Sequence, residues 1–292
     1  MNRYLIVLLV CCFIGVRVDA QNDNFGFGFR AGASISKLDG PSEVGPNGES
    51  LEEYTMASGF HIGAALSYKF TDLVGMRAEF TFSQRGTIYD YNGPSYYVLG
   101  RGNVQTTTIS GNRKQTLNVS NAFLDVPISV YYKIGKFEIL GGFNTGILIA
   151  STAGGSTDFD GKSNLGTTIA PFEVGLNHNY KSDKAGEASS TTITVNVDGR
   201  NYTVPETVMA YYEFAAKDKN WYNTIDFGVV AGASFYINEG LYLGARYIHG
   251  ISDVDQNTYD VSLQTLNPDG SFVQRADVNK SRAWQFSVGF SF

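Results

Sequence analysis

The chain has 292 residues, 33 of them glycine; 14% are aromatic and only 17% charged, against roughly 25% charged in ordinary soluble domains. Its formal net charge of −6 argues against nucleic acid as a partner, which would need a basic face. No apolar run beyond the N-terminal leader approaches the ~18 residues of a membrane-spanning helix, which leaves a soluble β protein or a transmembrane β-barrel, as one domain.

The leader comes first in chain order. Arg3 precedes an apolar run over Leu5–Gly15, and Val18-Asp19-Ala20 closes the segment. This is the pattern of a secretory signal peptide over residues 1–20, cleaved before Gln21, with the barrel domain over 21–292. Cys11 and Cys12 lie inside the leader. Lipidation there is the minor alternative, since the apolar run continues through Phe13 and Ile14. The mature chain has no cysteine, which excludes disulfides and thiol chemistry.

Strict alternation of apolar and small or polar residues marks strands, because successive side chains point to opposite faces. The first predicted strand is Phe25–Ser36, with Phe25, Phe27, Phe29, Ala31, Ala33 and Ile35 on one face. The second covers about Ser58–Phe70 and the third Gly75–Arg85. Gly86–Ser120 reads as a long polar connection, whose β-forming runs Val104–Ile109 and Gln115–Val119 extend the flanking strands. The fourth strand is about Asn121–Lys133. Pro127 within it has no N–H for the ladder, so a bulge or a missing hydrogen bond is expected there. The fifth is Phe137–Ala150, the sixth about Thr224–Ile237 and the seventh Leu241–Gly250. The eighth closes the chain: Trp284, Phe286, Val288, Phe290 and Phe292 share one face, and Ala283, Gln285, Ser287, Gly289 and Ser291 the other. That ending resembles the C-terminal strand which the outer-membrane insertion machinery reads, so assembly is expected to depend on it.

Connection lengths decide between the two barrel types. Connections one, three, five and seven are long, and two, four and six are short, as in outer-membrane barrels with short periplasmic turns and long external loops. Strands of about ten residues match the bilayer at a tilt near 45°. The soluble alternative is an eight-stranded lipocalin-like barrel, with the bulky face turned inward. The expected fold is therefore all-β: an eight-stranded antiparallel transmembrane up-and-down barrel. The fifth connection, 151–223, is too long for an ordinary loop. Asp198-Gly199 between alternating β-formers marks a hairpin inside it. Its aromatics Tyr202, Tyr211, Tyr212 and Trp221 either pack the loop on itself or form an exposed recognition surface.

Several segments also carry a family resemblance. Phe29-Arg30-Ala31-Gly32-Ala33, Phe80-Thr81-Phe82-Ser83-Gln84-Arg85-Gly86, Leu124-Asp125-Val126-Pro127-Ile128 and Gly244-Ala245-Arg246-Tyr247-Ile248-His249-Gly250-Ile251 resemble the PorT-like outer-membrane β-barrel proteins of the Bacteroidetes. Asp226-Phe227-Gly228 fits the same pattern. The resemblance covers the barrel strands and implies an outer-membrane location. One branch of that family is linked to type IX secretion.

Catalytic chemistry is sparse. His61, His178 and His249 lie in different segments without ligand spacing, so neither a metal nor another cofactor is expected. Gly26, Gly28 and Gly32 alternate along a strand with no helix after them, unlike a dinucleotide fingerprint. The inward parity collects charge, and Arg30, Glu79, Asp125 and Arg246 lie near the middle of their strands, so they are expected to share one level of the lumen. An eight-stranded barrel has just enough interior for side chains to fill. The function expected is a non-enzymatic surface binding or scaffold protein acting through its external loops. The alternatives are an accessory of a type IX-like secretion system and a small-solute porin. Its partners are then outer-membrane lipid, the barrel assembly machinery during insertion and an envelope protein held by the loops.

Overall fold

The computed structural model describes residues 24–100 and 106–292. The leader 1–20 with Cys11 and Cys12, its cleavage before Gln21, and the start of the run Val104–Ile109 lie outside the described residues. Among those described, every regular element is a strand: β1 (Phe25–Asp39), β2 (Glu52–Lys69), β3 (Val74–Leu99), β4 (Thr107–Ile134), β5 (Phe137–Lys162), β6 (Thr168–Asn179), β7 (Thr192–Val197), β8 (Arg200–Pro205), β9 (Thr207–Val208), β10 (Ile225–Tyr236), β11 (Leu241–Gly250), β12 (Val261–Leu266), β13 (Phe272–Gln274) and β14 (Lys280–Ser291).

Eight strands close into a ring in the order β10-β11-β14-β1-β2-β3-β4-β5, with β10 returning to β5. Every ring pairing is antiparallel, and closure leaves no ring edge to aggregate. The short turns are built locally. Thr71 Oγ1 accepts the Val74 N–H at 3.0 Å between β2 and β3. Asn238 Oδ1 accepts the Gly240 and Leu241 N–H groups at 3.0 and 2.7 Å between β10 and β11. Between β4 and β5, Gly135 takes a φ of 56°, a conformation that costs glycine little.

Alternation sets the wall. On β14, Trp284 is 44% and Val288 55% exposed, while Gln285 is 1% exposed. Phe29, Phe60, Phe80, Ile128, Phe143, Phe227 and Leu243 carry the same outward apolar face around the ring. A lipocalin-like barrel would hold these side chains inside, so that alternative is excluded. At Pro127 the ladder to β3 passes from Ala78↔Ile128 to Thr81↔Asp125 with no pairing between. The register is unchanged, so the consequence is missing hydrogen bonds rather than a bulge.

The bulge lies elsewhere. Pairing of β4 with β5 shifts from Phe123↔Leu148 to Ala122↔Ala150, leaving Ile149 unpaired. One extra residue reverses the parity of a strand. Below Ile149, Glu138, Leu140, Asn144 and Leu148 face inward; above it Ser151, Ala153, Thr157 and Phe159 do. The strands β3, β4 and β5 run 26, 28 and 26 residues, more than twice the 12, 10 and 12 of β10, β11 and β14. They therefore stand well above the ring, where β6 and β9 extend their sheet. The polar connection Gly86–Ser120 is thus mostly the paired upper halves of β3 and β4.

This upper sheet has its own core. Ile109, Leu117, Val119, Phe159, Val174 and Leu176 from the sheet pack with Tyr180, Tyr211, Tyr222 and Tyr259 from the connections. The hairpin β7–β8 adds Val195, Val197 and Val204. Its turn, Asp198-Gly199, has φ of 51° and 79°, as a two-residue hairpin turn requires.

Candidate functional site

The lumen of the ring holds four arginines against four carboxylates, all buried. Toward the short turns, Arg77 makes a bidentate pair with Glu138, both bonds 2.8 Å. The Tyr236 hydroxyl donates to Glu138 at 3.0 Å. In a second group, Glu79 accepts from Arg30 Nε at 2.8 Å and lies 2.7 Å from Arg246 Nη1. Arg30 also donates to Gln285 at 3.1 Å and Ser287 at 3.3 Å, and His61 bridges Ser34 and Ser287. In a third, Arg85 donates to Asp125 and Asp226, both at 2.9 Å. Asp125 accepts further from Ser83 and Asn144, and the Arg85 guanidinium stacks 3.9 Å from the Phe123 ring centroid.

Of the four expected luminal residues, Arg30, Glu79 and Arg246 therefore meet, while Asp125 belongs with Arg85 and Asp226. The expectation of one shared level is corrected here. Strands of a barrel are tilted and staggered, so equal residue counts do not mean equal heights. Glycine makes the room: a Cβ on Gly146 would come within 2.7 Å of Arg85 Nη2 and Asp125 Oδ1, and one on Gly232 within 2.6 Å of Arg246 Cγ.

The closing-strand residues Trp284, Phe286, Val288, Phe290 and Phe292 all lie on the outward face. Tyr247 packs against Trp284, the rings tilted by 40° with centroids 4.8 Å apart.

Among the loop aromatics, Tyr211 is 0% exposed. Its hydroxyl donates to the Tyr180 carbonyl at 2.6 Å and accepts the Trp221 N–H at 2.8 Å. Tyr211 thus has no face to offer a partner, which corrects the recognition reading for that residue. Trp221 stacks on Tyr259 at 5.5 Å, and Tyr202, Tyr212 and Trp221 are half-buried against the same core. Beneath them lies a cavity of ≈ 150 Å³ reaching toward Tyr54, Asp255 and Arg275. A second, of ≈ 110 Å³, shares Gln115, His178 and Trp221 with it. Arg275 bridges Glu52 at 2.7 Å and Asp277 at 2.5 Å, tying the last connection to β2. Burial pushes the Asp255 carboxyl up to about 8, with Asp253 acting the same way, and holds His178 down to about 4.

With an eight-stranded ring, an apolar outer wall and a polar lumen in place, the family can be stated. The model of the outer membrane protein beta-barrel domain matches residues 19–256. The chain belongs to this family. It is an outer-membrane β-barrel protein. Among solved structures, Ail, the attachment invasion locus protein of Yersinia pestis, crystallised with the heparin analogue sucrose octasulfate, is 11% identical; the match covers 92% of this chain and 99% of that one, with a TM-score of 0.36. The outer-membrane protein OprG of Pseudomonas aeruginosa is 11% identical over 92% and 96%, with a TM-score of 0.34. Neisserial surface protein A is 13% identical over 91% and 95%, with a TM-score of 0.30. No curated protein sequence matches the chain.

The sequence reading of this outer-membrane barrel missed Glu52, Asp255 and Arg275. Each sits in a segment read as polar connection. The available signal was the run Thr87, Tyr89 and Leu117, whose parity continues the inward faces of β3 and β4 beyond the ring; on β2 a register shift between Met56 and His61 reverses the parity and hides Tyr54.

Proposed function

We propose that this protein is a non-enzymatic surface binding or scaffold protein with a closed lumen, working through the layer above the ring. The observation that carries this reading is the separate core of that layer, built by β3, β4 and β5 at more than twice the length of β10, β11 and β14. Function concentrates in loops held by a rigid scaffold, and here the scaffold itself continues past the membrane. Three buried charge groups across the lumen support closure, which makes the small-solute porin the weaker reading. The PorT-like resemblance of the strand motifs supports an accessory role in a type IX-like secretion system as the second reading. The proposal includes a leader, 1–20, removed before Gln21.

Pull-down of the tagged protein from native outer membranes tests the two. Recovery of secretion subunits favours the second reading; envelope partners without them favour the first. Planar-bilayer recording is expected to show no steady conductance, and a stable open channel would overturn the closed lumen. N-terminal sequencing of the mature protein is expected to begin at Gln21.

A further inference from the structure

The ≈ 150 Å³ cavity above the ring has a composition that selects one kind of ligand. Aromatic faces dominate its wall: Tyr54, Tyr89, Tyr180, Trp221, Tyr222 and Tyr259. Four charged side chains also line it. Arg275 is neutralised by Glu52 at 2.7 Å and by Asp277 at 2.5 Å. That leaves Asp255 and Asp260 without a salt bridge in the wall, Asp260 feeling Arg275 only through its field.

Two of the wall's polar side chains are also almost fully buried. Asp255 is 9% and Asn279 5% exposed. They meet each other, Asn279 Nδ2 donating to Asp255 Oδ2 at 2.9 Å. Yet Asn279 Oδ1 is buried without a hydrogen-bond partner, and Asp255 has beyond Asn279 only a hydrogen bond shared with another carboxyl, Asp253. A buried acceptor left unmade is costly. The orphan Asn279 oxygen is an acceptor, so what completes it is a donor. Buried carboxylates beside π faces favour a positive charge, because the ring quadrupole attracts cations. An anion would meet Asp255 and Asp260, and a purely apolar guest would leave the Asn279 acceptor bare.

We infer that this cavity is a binding site for a small protonated amine, its ammonium donating to Asp255 and Asn279 and its carbon body lying between Tyr54 and Trp221. A dry cavity of about 150 Å³ holds a benzene ring, and the adjoining ≈ 110 Å³ space behind Gln115 and His178 accommodates a further substituent. The elevated carboxyl of Asp255 fits a site lacking its counter-ion: burial and Asp253 hold the proton on, and a cation alongside would release it. The assignment goes beyond the surface reading above and stands or falls separately, since the outer face of the layer can hold a protein whether or not the cavity beneath it holds an amine.

The chain contains two tryptophans: Trp221 in the cavity wall and Trp284 on the outward wall. The Trp284→Phe protein in detergent therefore carries one reporter. Titration with benzylammonium chloride is expected to change Trp221 fluorescence saturably, with benzyl alcohol binding at least tenfold more weakly. Asp255→Asn is expected to weaken benzylammonium by about tenfold, the scale of a charge-assisted hydrogen bond, and to leave benzyl alcohol unchanged. Tyr54→Leu should weaken benzylammonium about fivefold and Tyr54→Phe hardly at all, as a cation–π contact requires. If Asp255→Asn disturbs the layer, the Tyr54 pair decides. Equal binding of amine and alcohol means a site for neutral hydroxyl compounds and overturns the proposal. So does tighter binding of benzoate, a response that never saturates, or a Tyr54→Leu variant that binds like the parent.

Discussion

The ring and the layer above it are made of the same strands with their polarity reversed. In the ring, β4 turns Ile128 and Val130 outward and Asp125 and Ser129 inward. A few residues earlier on the same strand, Thr116 and Asn118 face outward and Leu117 and Val119 inward. The solvent outside the wall changes from hydrocarbon to water, and the side chains exchange places accordingly. What holds the inside together changes too. In the lumen, buried charges are tolerated only as complete groups whose mutual attraction offsets their desolvation, while the layer is held by ordinary apolar burial. The two halves should therefore fail in different ways.

The largest expected effect tests the lumen. Glu79→Gln leaves Arg30 and Arg246 buried without their shared carboxylate. Breaking a buried pair costs about 3–5 kcal/mol, so the variant should lose its gel shift between unboiled and boiled samples at a lower temperature. Bilayer conductance should stay absent. A variant that folds normally and conducts would show these charges gating a path. The matching experiment on the layer is Phe159→Ala, also about 3–5 kcal/mol for a buried aromatic. Here the gel shift should persist, because the ring is untouched, while protease on whole cells should enter the layer. If Phe159→Ala abolished the gel shift, ring and layer would be one cooperative unit.

Next in size is a test of the outer wall on one strand. Ile128→Arg places a charge on the hydrocarbon face and should cost about 2–4 kcal/mol near mid-membrane. Asn118→Arg, on the same face above the ring, should lie within about 0.5 kcal/mol of the parent, as surface changes do. Urea midpoints of the two purified variants give the comparison. Equal losses would mean that the polarity reversal near Ala122 does not mark the membrane boundary.

The ring was legible because lipid on one side and a narrow lumen on the other force a strict two-residue period. Of the upper halves, the run Gln115–Val119 was legible as an extension of β4; the rest was not, because Tyr, Thr, Gly and Asn occur on both faces and the bulge at Ile149 reverses β5 midway. The hairpin at Asp198-Gly199 was legible from two residues, since its turn demands their backbone conformations. Grouping Asp125 with Glu79 failed because residue count ignores strand tilt. The cavity was out of reach, since Glu52, His178 and the pair Asp255 and Arg275 come from three separate segments. The stretch Ser182–Ser190, small and charged, is tied down by Gly186 N–H to Tyr211 O at 3.1 Å and Ser189 N–H to Thr207 O at 2.9 Å. The first cut by protease is expected at the β5–β6 tip, where Leu165 is 82% exposed.

The smallest effect separates the halves by pH. Burial raises the Asp255 carboxyl to about 8, helped by the hydrogen bond and charge of Asp253 and opposed by Asn279. Burial raises Asp260 as well. A carboxyl whose folded pKa is raised keeps a proton that the unfolded chain gives up near 4. The folded state then binds more protons, and stability declines as pH rises from about 4 toward 8 and levels off beyond. His178 works the other way: burial lowers it to about 4, so its contribution is complete above the ordinary value near 6.5 and fades as pH falls toward 4. The two oppose each other between about 4 and 6.5, and above that window the carboxyls act alone. Between pH 6.5 and 8 the layer should therefore lose stability, by no more than ~1.4 kcal/mol per pH unit for one group. Urea unfolding followed by Trp221 fluorescence in the Trp284→Phe protein reads the layer, and the gel shift reads the ring, which should not change over this range. Asp255→Asn should flatten most of the slope. If the slope survives in that variant, Asp260 or another group sets it, and the carboxyl beside Asn279 is already ionised.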